Sequence, residues 1–196
     1  MVDGGITQHL FLTVNALAGH DVRLDLLGIV LAEYTPYLFI LAEVYLYFFG
    51  HRKVAAVSAL YAVIVGLGLN QIIGTIYHHH RPFVDHLRQA LVAHAPDSSF
   101  PSDHTTFMAA IALRLLMQAK SRLWGGWMLG LAILGGAARV FVGVHYPFDI
   151  MGGIMTGTLG ALSVSVGARY WAYLTDWILK IDARVLGTKG VKPCDC

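Results

Sequence analysis

The sequence predicts an all-α protein: a polytopic membrane helix bundle with about five full transmembrane helices and an N-terminal interfacial helix. Of its 196 residues, 56% are hydrophobic and only 13% are charged, whereas soluble domains average about 25% charged residues. Mean hydropathy is +0.60. Apolar stretches of about 20 residues, the length needed to cross a bilayer, recur along the chain. We expect one domain covering residues 1–196.

The elements follow from these stretches in order. Residues 6–18 are apolar but too short to cross, so an interfacial helix is expected there. Five spans follow, the first with Pro36 as a kink and the last rich in glycines that permit close helix packing; they cover residues 24–50, 54–77, 102–119, 123–138 and 147–174.

Two segments outside these spans are polar. The segment 78–100, between the second and third spans, contains a shorter amphipathic piece at 84–93. From residue 175 onward the chain is expected to be amphipathic and then disordered. Cys194 and Cys196 lie in this tail and cannot cross-link a core.

Basic residues are distributed unequally between the two ends of the five spans. Ten lie at one end, and only four lie at the other: Arg23, Arg81, Arg88 and Arg139. The positive-inside rule therefore places the first end in the cytoplasm. The loops that hold Arg81, Ser102 and His145 then share the outer face. The net charge of +2 is too small to indicate a nucleic-acid partner.

The segment 138–149 places an arginine, an imidazole and a carboxylate between two apolar spans. Arg139 and His145 are expected on a short connection, and Pro147 suits the first position of the next helix. Asp149, four residues after His145, can accept the Nδ1–H of its ring and leave Nε2 free. A polar set at the edge of a bilayer is costly, which marks it as a functional candidate.

Two further outer elements carry groups that suit an anion. Ser102 is expected to cap a helix whose free N–H groups and dipole favour an anion, with His104 in the first turn. The planar guanidinium groups of Arg81 and Arg139 suit phosphate oxygens. Each residue alone is equally consistent with a contact to lipid headgroups. Their convergence on one membrane face predicts a phosphate site.

Three motifs together resemble the signature of the type 2 phosphatidic acid phosphatase (PAP2) superfamily, over about residues 70–153: Arg81-Pro82, Pro101-Ser102-Asp103-His104, and Arg139-x5-His145-x3-Asp149. Asp103 and its surroundings resemble the bacterial undecaprenyl pyrophosphate phosphatases of the BcrC type. The chain departs from the family pattern at Gly74, where a lysine is usual, and at Ala138, where a serine is usual.

The resemblance implies hydrolysis of undecaprenyl pyrophosphate to undecaprenyl phosphate, a step in recycling the lipid carrier of peptidoglycan synthesis. No metal or cofactor is implied. His145 would be the nucleophile and form a phosphohistidine, Asp149 would orient its ring, and His104 would act as acid and then base. The phosphoryl oxygens would be bound by Arg81, Arg139, Ser102 and Asp103. The site would face the periplasm from the bacterial inner membrane.

Two features remain open at this stage. Glu33 lies inside the first span, where it could reach the site from below or remain a buried neutral carboxyl. The run of three histidines before Arg81 could replace the charge of the missing lysine, with the adjacent His80 as an accessory residue, or could form a polar interfacial cap. A metal site there is disfavoured because adjacent histidines on a helix point in different directions.

Alternative functions are also open. Phosphatidic acid or phosphatidylglycerophosphate could be the lipid substrate. A non-enzymatic small transporter or channel would require polar residues along several spans, and only Glu33, Asn70 and Gln71 qualify. The sequence leaves the lipid specificity, the oligomeric state and the effect of Gly74 undetermined.

Overall fold

The computed structural model describes residues 5–186, and this part of the chain is helical without strands, as predicted. Cys194 and Cys196 lie outside the described residues. A short 3₁₀ turn lies at Ala119–Ser121. The helices are α1 (Ile6–Asn15), α2 (Val22–Phe48), α3 (Lys53–Ile76), α4 (Asp103–Leu116), α5 (Arg122–Phe141), α6 (Pro147–Val166) and α7 (Ala168–Leu186).

Four of the described helices are long and apolar enough to cross a membrane: α2, α3, α5 with its preceding turn, and α6. The third predicted span is shorter than expected. It corresponds to α4, which has 14 residues and is therefore about 21 Å long, against a hydrocarbon core of about 30 Å. The prediction of a multi-pass helix bundle is confirmed, with α4 as a short helix inside it.

The short helix α4 forms the centre of the bundle and packs against α3, α5 and α6. Small side chains and glycines permit these close contacts. A Cβ atom at Gly157 of α6 would lie 2.9 Å from the carbonyl oxygen of Thr106, and one at Gly160 would lie 2.2 Å from that of Ala62. The glycines of α6 therefore allow α3 and α4 to approach its backbone, as the sequence predicts.

Three elements lie together at one end of the bundle: the last turn of α3, the first turn of α4 and the connection between α5 and α6. Helix α1 packs on the same end. The ring of Phe11 meets the edge of Tyr146 with 5.5 Å between the centroids, and Asn15 Nδ2 donates to the carbonyl oxygen of Phe141 at 2.7 Å. Helix α1 thus supports the α5–α6 connection, where the polar segment 138–149 lies.

The last predicted span, 147–174, is instead two helices. Helix α6 ends at Val166, and α7 begins after Gly167. Apolar residues continue across Gly167, so composition does not separate the two helices. Trp171, Leu174 and Ile178 of α7 pack against the main core, and the chain stays helical to Leu186. The expected amphipathic character is therefore present, in a helix that begins earlier than predicted.

One local expectation is also wrong. Helix α5 continues to Phe141, so Arg139 lies in its last turn rather than on the connection, because the apolar pattern runs on around the arginine. The amphipathic piece at 84–93 forms turns and bends. Contacts to the bundle fix this piece, including a hydrogen bond from the amide of Leu91 to the carbonyl oxygen of Val142 at 2.9 Å.

Candidate active site

His145 lies in the short connection between α5 and α6, with 1% of its surface exposed. Pro147 starts α6, as predicted, and places Asp149 in the first turn. Asp149 Oδ2 lies 3.3 Å from His145 Nδ1. It also accepts the amide of Tyr146 at 2.7 Å and the hydroxyl of Ser99. Because a carboxylate only accepts hydrogen bonds, this contact assigns the ring proton to Nδ1 and leaves the Nε2 lone pair available.

The environment of His145 keeps its ring neutral. Burial lowers the pKa of His145 to about 4, and the nearby guanidinium charges act in the same direction, against the effect of Asp149. Desolvation disfavours the charged form of an imidazole. At neutral pH the Nε2 atom therefore carries a lone pair, which a nucleophile requires.

Arg81 follows the end of α3 and is 4% exposed. Its Nη1 donates to the carbonyl oxygen of Val144 at 2.9 Å and lies 3.2 Å from His145 Nε2. Its Nε donates to Asp97 Oδ1 at 2.8 Å. The guanidinium group thus contacts the same imidazole nitrogen that Asp149 leaves free.

Arg139, in the last turn of α5, is completely buried. Its Nη1 donates to the carbonyl oxygen of Ala32 at 3.2 Å and lies 3.6 Å from Glu33 Oε1. Within residues 5–186, its Nε and Nη2 atoms have no hydrogen-bond partner. These two atoms form one edge of the guanidinium plane, the edge that pairs with two oxygens of a phosphate. Buried donors are costly when unpaired, so this edge marks a position for an oxyanion.

The start of α4 supplies the third element. Ser102 is fully buried and caps the helix, with its Oγ accepting from the amide and the hydroxyl of Thr105 at 3.5 and 3.1 Å. Asp103 is exposed, and its Oδ1 accepts from Asn70 Nδ2 at 2.7 Å. His104 is partly buried. Burial, together with the nearby charge of Arg139 and the ring of His145, lowers the pKa of His104 to about 3 while the site holds no anion.

The two candidate accessory residues differ in their placement. Glu33 lies at the site, with its Oε1 atom 3.6 Å from Nη1 of Arg139. His80 instead turns outward, where its Nδ1 faces Asp85 Oδ1 at 3.3 Å. Its neighbour His79 points inward, with Nδ1 3.4 Å from Asp149 Oδ1. Of the three consecutive histidines, His79 is therefore the one that contacts the cluster.

Sequence reasoning missed three residues of the irregular segment between α3 and α4: His94, Asp97 and Ser99. The ring of His94 lies 6.3 Å from that of His145, and Ser99 is fully buried against Asp149. No periodicity identifies such residues in an irregular segment. The one available signal was the density of histidine, aspartate and serine residues between 78 and 99.

These contacts bring a neutral imidazole, a carboxylate, a second histidine and two guanidinium groups to one end of the bundle. The imidazole can attack an electrophile, and the arginines can neutralise an anion. Phosphoryl transfer depends mainly on such positioning and charge stabilisation.

The chain is similar to known proteins in both sequence and fold. A sequence model of the PAP2 superfamily matches residues 55–173. Undecaprenyl-diphosphatase BcrC of Bacillus subtilis (strain 168) is 29% identical over 97% of this chain and 98% of that protein. Bacitracin transport permease protein BcrC of Bacillus licheniformis is 29% identical over 79% of this chain and 83% of that protein. The crystal structure of Aquifex aeolicus LpxE has a TM-score of 0.65, 23% sequence identity, and coverage of 82% of this chain and 94% of that one.

Proposed function

The chain belongs to the PAP2 superfamily, and we propose that it is an integral-membrane lipid phosphatase that hydrolyses undecaprenyl pyrophosphate to undecaprenyl phosphate. The observation that carries the proposal is the position of two buried donors, Nε and Nη2 of Arg139, in the same cluster as the neutral imidazole of His145. In the described part of the chain, neither donor has a hydrogen-bond partner. The choice of lipid is supported by the relative from Bacillus subtilis, which aligns over nearly its whole length.

The first chemical step is attack by His145 Nε2 on the terminal phosphorus. A P–N bond forms and the bond from phosphorus to the bridging oxygen breaks. His104, whose pKa the negative charge of the bound diphosphate raises, protonates that oxygen on the departing lipid phosphate. Asp149 holds the Nδ1–H and stabilises the positive charge that the ring acquires. Arg81 Nη1, which lies against Nε2 in the resting site, turns to a phosphoryl oxygen.

The second step hydrolyses the phosphohistidine. His104, now deprotonated, accepts a proton from water, and the water oxygen attacks phosphorus while the P–N bond breaks. His145 returns to its neutral form and inorganic phosphate is released. The net reaction consumes one water and one lipid diphosphate and produces one lipid phosphate and one inorganic phosphate.

Charge on the transferred phosphoryl group is neutralised mainly by the two arginines. The Nε and Nη2 atoms of Arg139 bind two oxygens, and Arg81 binds a third. The amide of Ser102 already donates to the carbonyl oxygen of Asp149 at 3.1 Å. The main-chain N–H groups at the start of α4 that donate to the phosphoryl oxygens are therefore those of Asp103 and His104.

A lipid substrate is supported by an apolar cavity within the bundle. A cavity of about 420 Å³ is lined by α2, α3, α4 and α7, and its wall includes Val44, Leu60 and Phe107. Phe107 follows His104 by about one turn of α4, and most of the other lining residues belong to the halves of α2 and α3 that are farther from the site. The excess of basic residues at the opposite end of the bundle supports an extracytoplasmic site.

Two alternative functions differ from this proposal, one in the lipid substrate and the other in the activity itself. Phosphatidic acid or phosphatidylglycerophosphate would use the same chemistry with a different tail. A transport role is named for the Bacillus licheniformis relative. Against transport, Glu33 and Asn70, the buried or partly buried polar groups expected along a path, contact Arg139 and Asp103 instead.

Phosphate release by the purified protein in EDTA tests the proposal. Undecaprenyl pyrophosphate and phosphatidic acid are compared as substrates for wild type and for His145→Ala. We expect preference for the diphosphate and loss of activity in the variant. Full activity of His145→Ala would refute the nucleophile, and preference for phosphatidic acid would refute the substrate.

A further inference from the structure

The irregular segment before α4 places a carboxylate directly on one of the two arginines. Asp97 Oδ1 accepts from Arg81 Nε at 2.8 Å. Burial alone would raise the pKa of Asp97, but the hydrogen bond and the charge of Arg81 outweigh burial and lower it below its ordinary value. The group is therefore a carboxylate at neutral pH. It occupies the Nε donor of a guanidinium group whose Nη1 atom lies against His145.

The exposure of the two partners differs strongly. The side chain of Arg81 is 5% exposed, whereas that of Asp97 is 62% exposed. Asp97 can rotate into water with little loss of buried contact. Arg81 would keep its place, because its Nη1 donates to the carbonyl oxygen of Val144 at 2.9 Å and its Nη2 lies 3.5 Å from that of Ser98. The carboxylate of Asp97 can therefore leave this contact and return to it while the guanidinium group of Arg81 stays in place.

The charge balance of the cluster gives this contact a consequence. The cluster holds two guanidinium groups and three carboxylates: Asp97 pairs with Arg81, Glu33 lies near Arg139, and Asp149 contacts His145. His145 is neutral. An incoming phosphate dianion therefore meets a site without excess positive charge. Its binding improves when the most exposed carboxylate moves away from the arginine.

We infer that Asp97 is an internal competitor of phosphate: it occupies Arg81 between turnovers and weakens the hold of the site on inorganic phosphate, the product of the second step. The inference rests on the proposed function, in which Arg81 binds the phosphoryl group. Asp97 thereby favours product release over retention. The carboxylate forms and breaks no covalent bond.

Titration of the full-length protein in detergent with inorganic phosphate, followed by calorimetry, tests this role without turnover. We expect Asp97→Asn to lower the Kd for phosphate by about three- to tenfold, the range for removing one partly exposed charge near an anion. Asp97→Glu keeps the carboxylate and should bind as wild type does. Asp85→Asn is the matched control, because Asp85 lies on the same segment but its carboxylate contacts Tyr146 and His80 rather than the guanidinium group of Arg81.

Unchanged or weaker phosphate binding by Asp97→Asn would overturn the inference, since an anchoring role for Asp97 predicts weaker binding. Equal tightening by Asp85→Asn would also overturn it, because it would reflect net charge alone. Should Asp97→Asn fail to fold, Asp97→Ser is judged by the same criteria. Tighter phosphate binding without hydrolysis of undecaprenyl pyrophosphate would refute the substrate and retain the competitor. Hydrolysis with unchanged phosphate affinity would refute the competitor alone.

Discussion

Replacement of Arg139 by lysine removes the open edge of its guanidinium group while keeping a positive charge. Arginine offers two donors there, Nε and Nη2, whereas a lysine ammonium on its flexible stem matches one oxygen at a time. The loss is therefore about one hydrogen bond to a charged group, about 1.5–3 kcal/mol. At 1.4 kcal/mol per factor of ten, kcat/KM should fall about 10- to 150-fold.

The assay is phosphate release from undecaprenyl pyrophosphate in detergent micelles, with thermal unfolding measured in parallel to establish that the variant is folded. Arg88→Lys is the matched control, because Arg88 is an exposed arginine on the irregular segment before α4. The activity of this variant should stay within about twofold of wild type. A folded Arg139→Lys protein with more than half of the wild-type kcat/KM would refute the role of the open edge.

Three further predictions concern the nucleophile, its carboxylate and the packing. An NMR titration of the His145 ring should show a midpoint near pH 4, so that the ring gains its proton only well below neutral pH; a midpoint near 6.5 would contradict the buried site. His79→Gln should lower kcat/KM about tenfold by loosening the carboxylate, while His80→Gln stays unchanged; equal effects would contradict this difference. Gly160→Ala should destabilise the protein by about 1–3 kcal/mol in thermal unfolding, whereas Gly130→Ala, which meets open space, should not; equal stabilities would contradict the close α3–α6 contact.

The spans were predictable because each depends on local composition. Long apolar stretches bounded by polar residues identify α2, α3 and α5 to within a few residues, and Pro147 marks the start of α6 through its restricted backbone. The break at Gly167 was not predictable in the same way. An apolar stretch that continues through one glycine is compatible with a single long helix or with two helices that fold against each other.

The motif residues were predictable because their spacing along the chain reflects one site. His145 and Asp149 are four residues apart, and one helix start therefore brings them together. Asp97 and Ser99 depend instead on the path of an irregular segment, which long-range contacts determine. The choice between His79 and His80 is similar, because α3 ends at Ile76 and the direction of the following backbone decides which ring faces inward.

Trapping the phosphorylated intermediate tests the central claim most directly. Protein is mixed with undecaprenyl pyrophosphate labelled with ³²P at the terminal phosphate, quenched in base within milliseconds, digested and mapped by mass spectrometry. We expect base-stable, acid-labile label on the peptide that contains His145, and none in His145→Gln. Label on another residue, or hydrolysis at the wild-type rate with no labelled protein at any quench time, would contradict nucleophilic attack by His145.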